Sequence, residues 1–421
     1  MSILSAALDE ALQKRFPSVA VSPGSRFVPM LDLTKGEVSS TAAIEVARAL
    51  RGDALAIAQD LLSDIAQQVP GDWKVVAGYM ILTNAPAVII REEARTRHEL
   101  FDKMEADAPL RTIVCLVPDA TSPVYARLRL IACSALQAVL AVAFEGRCRL
   151  GFEPEAPQVV ASHDDVVQLT ARAVERCFRH EGEARLGYTA PAHGFDTDSP
   201  LVVWTSHHYH DRLGHDVKRA FVEARASGGV FLKIPSDGWL LSRERALSEL
   251  LSTGSLERVV RRLSETETWL RWIFHFASSI PSGDLDPAVA LYDECASPRW
   301  TLQVLHHRVT QLISPILHGG DRELVEAIVA RPLTERALLL RALFLPALTA
   351  RAIREGEVVA WSTVIEEFAS RAHAVLNAPH FRAALKNGAI DGELMQINAG
   401  LALGIAGILP AVTEGQCVNR Q

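Results

Sequence analysis

Apolar positions recur along this chain in two rhythms, and the alternation between them predicts its elements. Ile3, Ala7, Leu8, Ala11 and Leu12 follow helical spacing. A Pro- and Gly-marked strand region follows at Val19–Leu33, then helices over Ser39–Leu50 and Asp53–Gln68. In the last of these, Leu55, Ala58, Leu61, Leu62 and Ile65 recur at steps of three and four, which puts them on one face. Trp73–Ile81 and Ala87–Ile90 are apolar and rich in β-formers. Residues 1–90 therefore read as a small α/β domain.

Strands and helices then alternate. A helix is expected over Glu93–Glu105 and a short buried strand over Thr112–Val117, stopped by Pro118. A long helix follows from Val124 to Val142. Further strands are expected at Val203–Ser206 and Gly229–Ile234, with a helix over Asp211–Ala226 between them. This order predicts βαβ units and a mostly parallel sheet over 91–280. Gly182–Pro200 reads as a loop. From Asp284 onward the pattern is helical, so 281–421 is expected to form a helical bundle. The fold class is thus α/β plus all-α.

Composition narrows the functions open to such a chain. Of 421 residues, 49% are hydrophobic and 22% charged, which excludes a disordered or fibrous protein. Lys and Arg number 43 against 50 Asp and Glu, a net charge of −7. No global basic excess points to DNA, and any nucleic-acid contact must come from local patches. The six cysteines form no CxxC pair, as expected of reduced, buried thiols in a cytoplasmic protein rather than a zinc site. The uncharged runs Leu130–Phe144 and Ile397–Pro410 are shorter than the ~20 residues of a membrane helix.

Three separated stretches carry a family resemblance. Gly36-Glu37-Val38-Ser39-Ser40-Thr41-Ala42-Ala43-Ile44-Glu45-Val46-Ala47-Arg48 is similar to the N-terminal segment GD(F/Y)ATN-x-A-x-x-LAK of class I arginyl-tRNA synthetases. Pro298-Arg299-Trp300-Thr301-Leu302-Gln303-Val304-Leu305-His306-His307-Arg308-Val309 resembles the helix that opens the family's DALR anticodon-binding domain. Asn398-Ala399-Gly400-Leu401-Ala402-Leu403-Gly404-Ile405 resembles that domain's closing element. The resemblance implies a tRNA-elbow domain at 1–90, a catalytic-type Rossmann-like domain at 91–280 and a DALR domain at 281–421. It also implies tRNA as partner, arginine as amino acid and ATP as co-substrate.

The family's ATP signatures are altered where they would stand. The first, of the form SSPN…H-x-GH, falls on Pro118-Asp119-Ala120-Thr121-Ser122-Pro123-Val124-Tyr125-Ala126-Arg127. Tyr125 and Arg127 occupy the positions of the two histidines, with one residue missing between them. Adenylate formation develops charge on the phosphates and needs preorganised donors at that helix start. Tyr125 offers one hydrogen bond and Arg127 could meet a phosphate. The second signature, of KMSK type, falls on Leu240-Leu241-Ser242-Arg243, where the first Lys has become Leu240. The Pro118 turn and the Ser242 segment also stand closer than a full synthetase domain requires. The resemblance therefore implies a shortened, degenerate catalytic domain with Asp119, Tyr125, Arg127, Ser242 and Arg243 at its remnant ATP and arginine site.

Other polar groups have competing readings. His207, His208 and His210 follow the strand at Val203–Ser206, where the family carries the substrate-pocket segment GADQ-x-H. They read as a pocket edge, as solvated histidines or, with His215, as a metal cluster; no metal is expected. On the anticodon-type helix, Trp300, Gln303 and His307 share a face opposite Leu302 and Leu305, and can stack on or hydrogen-bond to unpaired bases. Arg308 matches the Arg of the family's motif, and Asn84 ends a strand near where the resembled domain meets the tRNA elbow. The expected function is a tRNA-binding paralogue that does not activate arginine and presents tRNA(Arg) to a partner enzyme or pathway. The alternatives are a working arginine–tRNA ligase, a transferase that takes arginine from charged tRNA, and a protein scaffold without RNA.

Overall fold

A computed structural model describes residues 3–19, 21, 26–29, 36–83, 110–116, 124–152, 155–179, 200–206, 230–234, 277, 348–359, 361, 362, 364 and 379. The chain divides into two compact units. The first holds 1–102, 302–348 and 364–404; the second holds 103–301, 349–363 and 405–421.

In the first unit, α1 (Ile3–Arg15), α2 (Ala42–Leu50) and α3 (Ala54–Gln68) accompany an antiparallel sheet. Its strands are β1 (Val28–Pro29), β2 (Val38–Ser40), β3 (Trp73–Val76) and β4 (Tyr79–Leu82), in the order β1-β2-β4-β3. Among the described residues of the strand region read over Val19–Leu33, Val28–Pro29 form β1, and β2 occupies the start of the segment expected to be helical from Ser39. Pairing of β2 with β4 takes Val38, Ser39 and Ser40 out of the helix, and α2 begins after Thr41.

The helical stripes close this unit. Leu4, Ala7, Leu8, Ala11 and Leu12 of α1 are buried, a pattern that starts at Leu4 rather than Ile3. In α3 the buried stripe is Ile57, Ala58, Leu61, Asp64 and Ile65. Leu55, expected on this face, is exposed, because it sits in the first turn, ahead of the stripe. Asp53 caps that turn, its carboxylate accepting from the Leu55 amide at 2.9 Å.

Asp64 is the charged member of the buried stripe. Its carboxylate accepts from Lys14 Nζ at 2.8 Å and from Arg15 Nε, so the end of α1 is pinned to α3. The hydrogen bond from Arg15, then that from Lys14, lowers the Asp64 pKa to about 2.

The second unit is built on a five-stranded sheet, ordered β7-β6-β5-β8-β9. Its strands are β5 (Thr112–Cys115), β6 (Cys148–Phe152), β7 (Gln158–Val160), β8 (Leu201–Ser206) and β9 (Val230–Ile234). All pairings are parallel except that of β6 with β7. β5, β8 and β9 lie where the apolar runs predicted strands. β6, β7 and the helix after them, α5 (His163–Arg179), were not expected. β6 is a short Cys-Arg-Leu-Gly-Phe run, and its Gly151 marks a close approach: a Cβ there would lie 2.9 Å from Pro157. α5 opens on a reciprocal cap, in which Ser162 Oγ accepts from the Asp165 amide at 3.2 Å and Asp165 accepts from the Ser162 amide at 3.0 Å.

The long helix, α4, runs Val124–Glu145. Its Arg127–Glu145 stretch is long and apolar enough to cross a membrane, more than the uncharged run alone suggests. Here it is the core helix: every side chain from Arg127 to Ala141 is buried, against the sheet and α5.

A late segment of the chain, 348–359, docks on α4. Its helix α6 (348–355) ends at Gly356, whose φ of 71° is the left-handed close favoured at helix C-termini. The buried Gln137 donates to the Ile353 carbonyl at 2.8 Å and accepts from Trp204 Nε1 of β8 at 2.7 Å. Nearby, Arg111 is paired with Glu145 at 3.2 Å, both side chains buried, and its guanidinium also reaches the Arg354 carbonyl at 3.4 Å. Trp361, fully buried, donates to Thr349 Oγ1 at 2.8 Å.

Two measurements test this packing. Because the folded pKa of Asp64 is depressed, its stabilising effect is full above the ordinary value of 3.8 and disappears as pH falls towards 2. Asp64→Asn should lower the melting temperature at neutral pH, and acid melts of the two proteins should converge over that window. Gln137→Leu strands the Trp204 indole N–H and the Ile353 carbonyl, at a cost of about 2–5 kcal/mol for two buried groups. Urea unfolding should show the midpoint falling accordingly, and an unchanged midpoint would contradict the network.

Candidate functional site

The parallel sheet defines where a ligand would bind. β5 comes first in the chain, β6 lies on one side of it and β8 on the other. The order reverses between β5 and β8, and in such sheets the crevice outside the carboxyl ends at that point receives the ligand. β5 carries its pairing to the end: the Leu116 amide donates to the Trp204 carbonyl at 2.9 Å. β8 ends at Ser206 and β9 at Ile234, and α4, the next described element after β5, starts at Val124.

Two of the expected site residues fall on described chain. Tyr125 lies in the first turn of α4, and Arg127 two residues later is only 3% exposed. Arg127 is taken inside the unit along with Arg129, which is also buried and interacts with the Cys133 thiol one turn on. The other residues of this set, Asp119, Ser242, Arg243, His207, His208 and His210, lie outside the described residues. So do Trp300, Gln303, His307, Arg308 and Asn84 of the tRNA set. Thr83, just before Asn84, closes the β3–β4 hairpin through bonds to the Asp72 carbonyl from its amide at 2.9 Å and its hydroxyl at 2.8 Å.

α4 and the sheet strands bring these arginines and the cysteines into the interior. Cys115, Cys133 and Cys148 are buried and are not in disulfides. Burial pushes the Cys133 thiol up to about 12, and burial together with Glu145 does the same to Cys148. At neutral pH neither is a thiolate nucleophile. Among the described residues no group of three or more His, Cys, Asp or Glu is placed to hold a metal ion.

Arg351, in the stretch expected to form the helical bundle, is paired with acidic side chains. Arg351 bonds to Glu357 and lies 4.0 Å from Glu355. The sequence reading missed Gln137 and Arg111 altogether. A lone Gln in an apolar helix and an Arg before a strand carry no periodic signal; only the carbonyls of a segment more than two hundred residues away give them a role.

No protein-family model and no curated protein matches this sequence. Solved structures do. The chain is similar to the arginyl-tRNA synthetase of Plasmodium falciparum, with 10% identity and a TM-score of 0.50 over 96% of each chain. A second match is the arginyl-tRNA synthetase of Thermus thermophilus, at 13% identity and a TM-score of 0.45, covering 96% of this chain and 98% of that one. The chain thus has an arginyl-tRNA synthetase-like fold.

The thiol environment is directly testable. Cys133 and Cys148 should stay unmodified by a maleimide at neutral pH in the native protein, as read by peptide mapping, and react fully in denaturant. Modification of either at the rate of a free thiol would mean that the interior is open.

Proposed function

We propose that this chain is a tRNA-binding relative of arginyl-tRNA synthetase that acts in the cytoplasm, does not activate arginine, and presents a tRNA, an arginine acceptor, to a partner or pathway. The observation that carries the reading is Arg127. On an arginyl-tRNA synthetase-like fold it stands at the start of α4, where the sequence resemblance puts an imidazole, and it is buried. A guanidinium is permanently charged, so it cannot take up and return a proton during phosphate chemistry as a histidine can. The two imidazoles are replaced by a phenol of different reach and a guanidinium that is buried, and each preorganised donor is worth a few kcal/mol at such a transition state.

The tRNA-binding half of the reading rests on the likeness of fold together with Trp300, Gln303, His307 and Arg308 on the anticodon-type helix and Asn84 at the elbow domain. Tyr125, Asp119, His207, His208, His210, Ser242 and Arg243 then form a remnant pocket, open to ATP as a ligand but not equipped to cleave it.

Arginine-dependent ATP–pyrophosphate exchange should be absent with and without tRNA, and robust exchange would make the chain a working ligase. Release of arginine from charged tRNA into a peptide or amine would instead make it a transferase. Trp300→Ala combined with His307→Ala should weaken tRNA binding by about 1–3 kcal/mol through the loss of base stacking. Replacing Arg331, Arg336 and Arg341 by Gln should flatten the salt dependence, by ~0.7 in log–log slope for each phosphate no longer neutralised. A tRNA titration unmoved by both sets of changes would refute tRNA binding through this domain.

A further inference from the structure

Four of the five large apolar side chains exposed among the described residues belong to one small part of the first unit. Val76 and Tyr79 are cross-strand partners at the tip of the β3–β4 hairpin. Leu50 ends α2, and Leu55 lies in the first turn of α3. These four are between 42% and 51% exposed. The tip rests on the helices: a Cβ at Gly78 would come within 2.9 Å of Ala54 Cβ and 3.1 Å of Ile44 Cγ1. Tip and α2–α3 elbow are therefore joined at the residue next to Leu55.

The same place holds a second, independent feature. Ala77, with φ of 51°, and Arg51, with φ of 54°, are the non-glycine residues of positive φ among the described residues. One forms the hairpin turn and the other closes α2. A left-handed conformation costs a side-chain-bearing residue roughly 1–2 kcal/mol. A glycine follows directly in both cases, yet the strained positions keep a side chain. Backbone strain of this kind concentrates where a surface is used.

The charge at the elbow has one sign to spare. Arg48 and Arg51 are exposed, two positive charges against the one negative charge of Asp53 on the loop, whose carboxylate also accepts from the Leu55 amide. Three of the four apolar groups are aliphatic, and unpaired bases prefer flat rings to branched chains. The exposed area is a few hundred Å², the size of a functional patch and well below what a stable dimer buries. We propose that the β3–β4 tip and the α2–α3 elbow form a docking surface for an acidic, amphipathic segment of a partner protein, its apolar side seated on Leu50, Leu55, Val76 and Tyr79 and its carboxylates facing Arg48 and Arg51.

This inference extends the proposed function by naming the kind of partner it calls for, and it rests on that reading only for the partner's purpose. The test uses the full chain without RNA. The probe is a fluorescein-labelled synthetic helix with Leu at steps of three and four and Glu elsewhere; control peptides replace Glu by Lys or Leu by Ser. Fluorescence polarisation should show the acidic apolar peptide binding at least about tenfold more tightly than either control. Leu50→Ser with Leu55→Ser, and separately Arg48→Gln with Arg51→Gly, should each weaken it by about tenfold or more. Only the charge-pair variant should lose salt sensitivity. All four positions are exposed, and circular dichroism melts should confirm that both variants fold. Equal binding of the three peptides, or wild-type affinity in both variants, overturns the proposal. So does a loss of binding to total tRNA with unchanged peptide binding, which would make the surface a nucleic-acid contact. Peptide binding by a chain that ignores tRNA would sustain this inference while the proposed function fell, and the reverse result would do the opposite.

Discussion

The second unit depends on how one buried amide is satisfied. Gln137 sits in the middle of a helix whose other neighbours are almost all apolar, and an unpaired amide there would cost several kcal/mol. Its carbonyl end is met by the Trp204 indole and its amino end by the Ile353 carbonyl, so a central strand, the core helix and a segment from far down the chain share one residue. Such a network is high in stakes: complete, it specifies a single packing; incomplete, it is worse than an apolar core. The Arg111–Glu145 pair next to it has the same logic, since a buried ion pair needs its remaining protons and lone pairs filled, and the Arg354 carbonyl helps to fill them. The end of α6 therefore supplies acceptors that the sheet unit lacks on its own.

This dependence explains what could be read from the sequence. Periodicity reports a residue's average surroundings over one or two turns, so it located α1, α3, α4 and the largely apolar strands β5, β8 and β9. It failed where pairing across distance decides. β2 is strand because β4 lies beside it, not because Val-Ser-Ser prefers to extend. β6 and β7 are too short and too polar to stand out, and α5 reads as a mainly polar helix until its cap and apolar stripe are placed against α4. Leu55 shows the same limit: its spacing fits the buried face, but that face begins at Ile57, two residues later.

The candidate site was legible to a different degree. The strand β5 and the helix α4 could be located because they need only an apolar run and a helical run. The chemistry of Arg127 could not, because a guanidinium on a helix can reach a ligand or fold into the interior with the same sequence. Its burial, together with that of Arg129, belongs to packing, and packing is set by α5 and the sheet as much as by α4.

Fold and chemistry are thus constrained separately in this protein. A synthetase-like sheet needs apolar strands, a core helix and satisfied polar groups, and none of these requires histidine at the start of α4. The reaction requires donors that sit at a charge that develops only in the transition state. A chain relieved of that second demand can keep the first in full, and its helix start can then accept a residue that packs. The exposed Leu50, Leu55, Val76 and Tyr79 make the complementary case in the other unit. Packing leaves these side chains outside the core, and the partner segment proposed above would give them a use that folding alone does not.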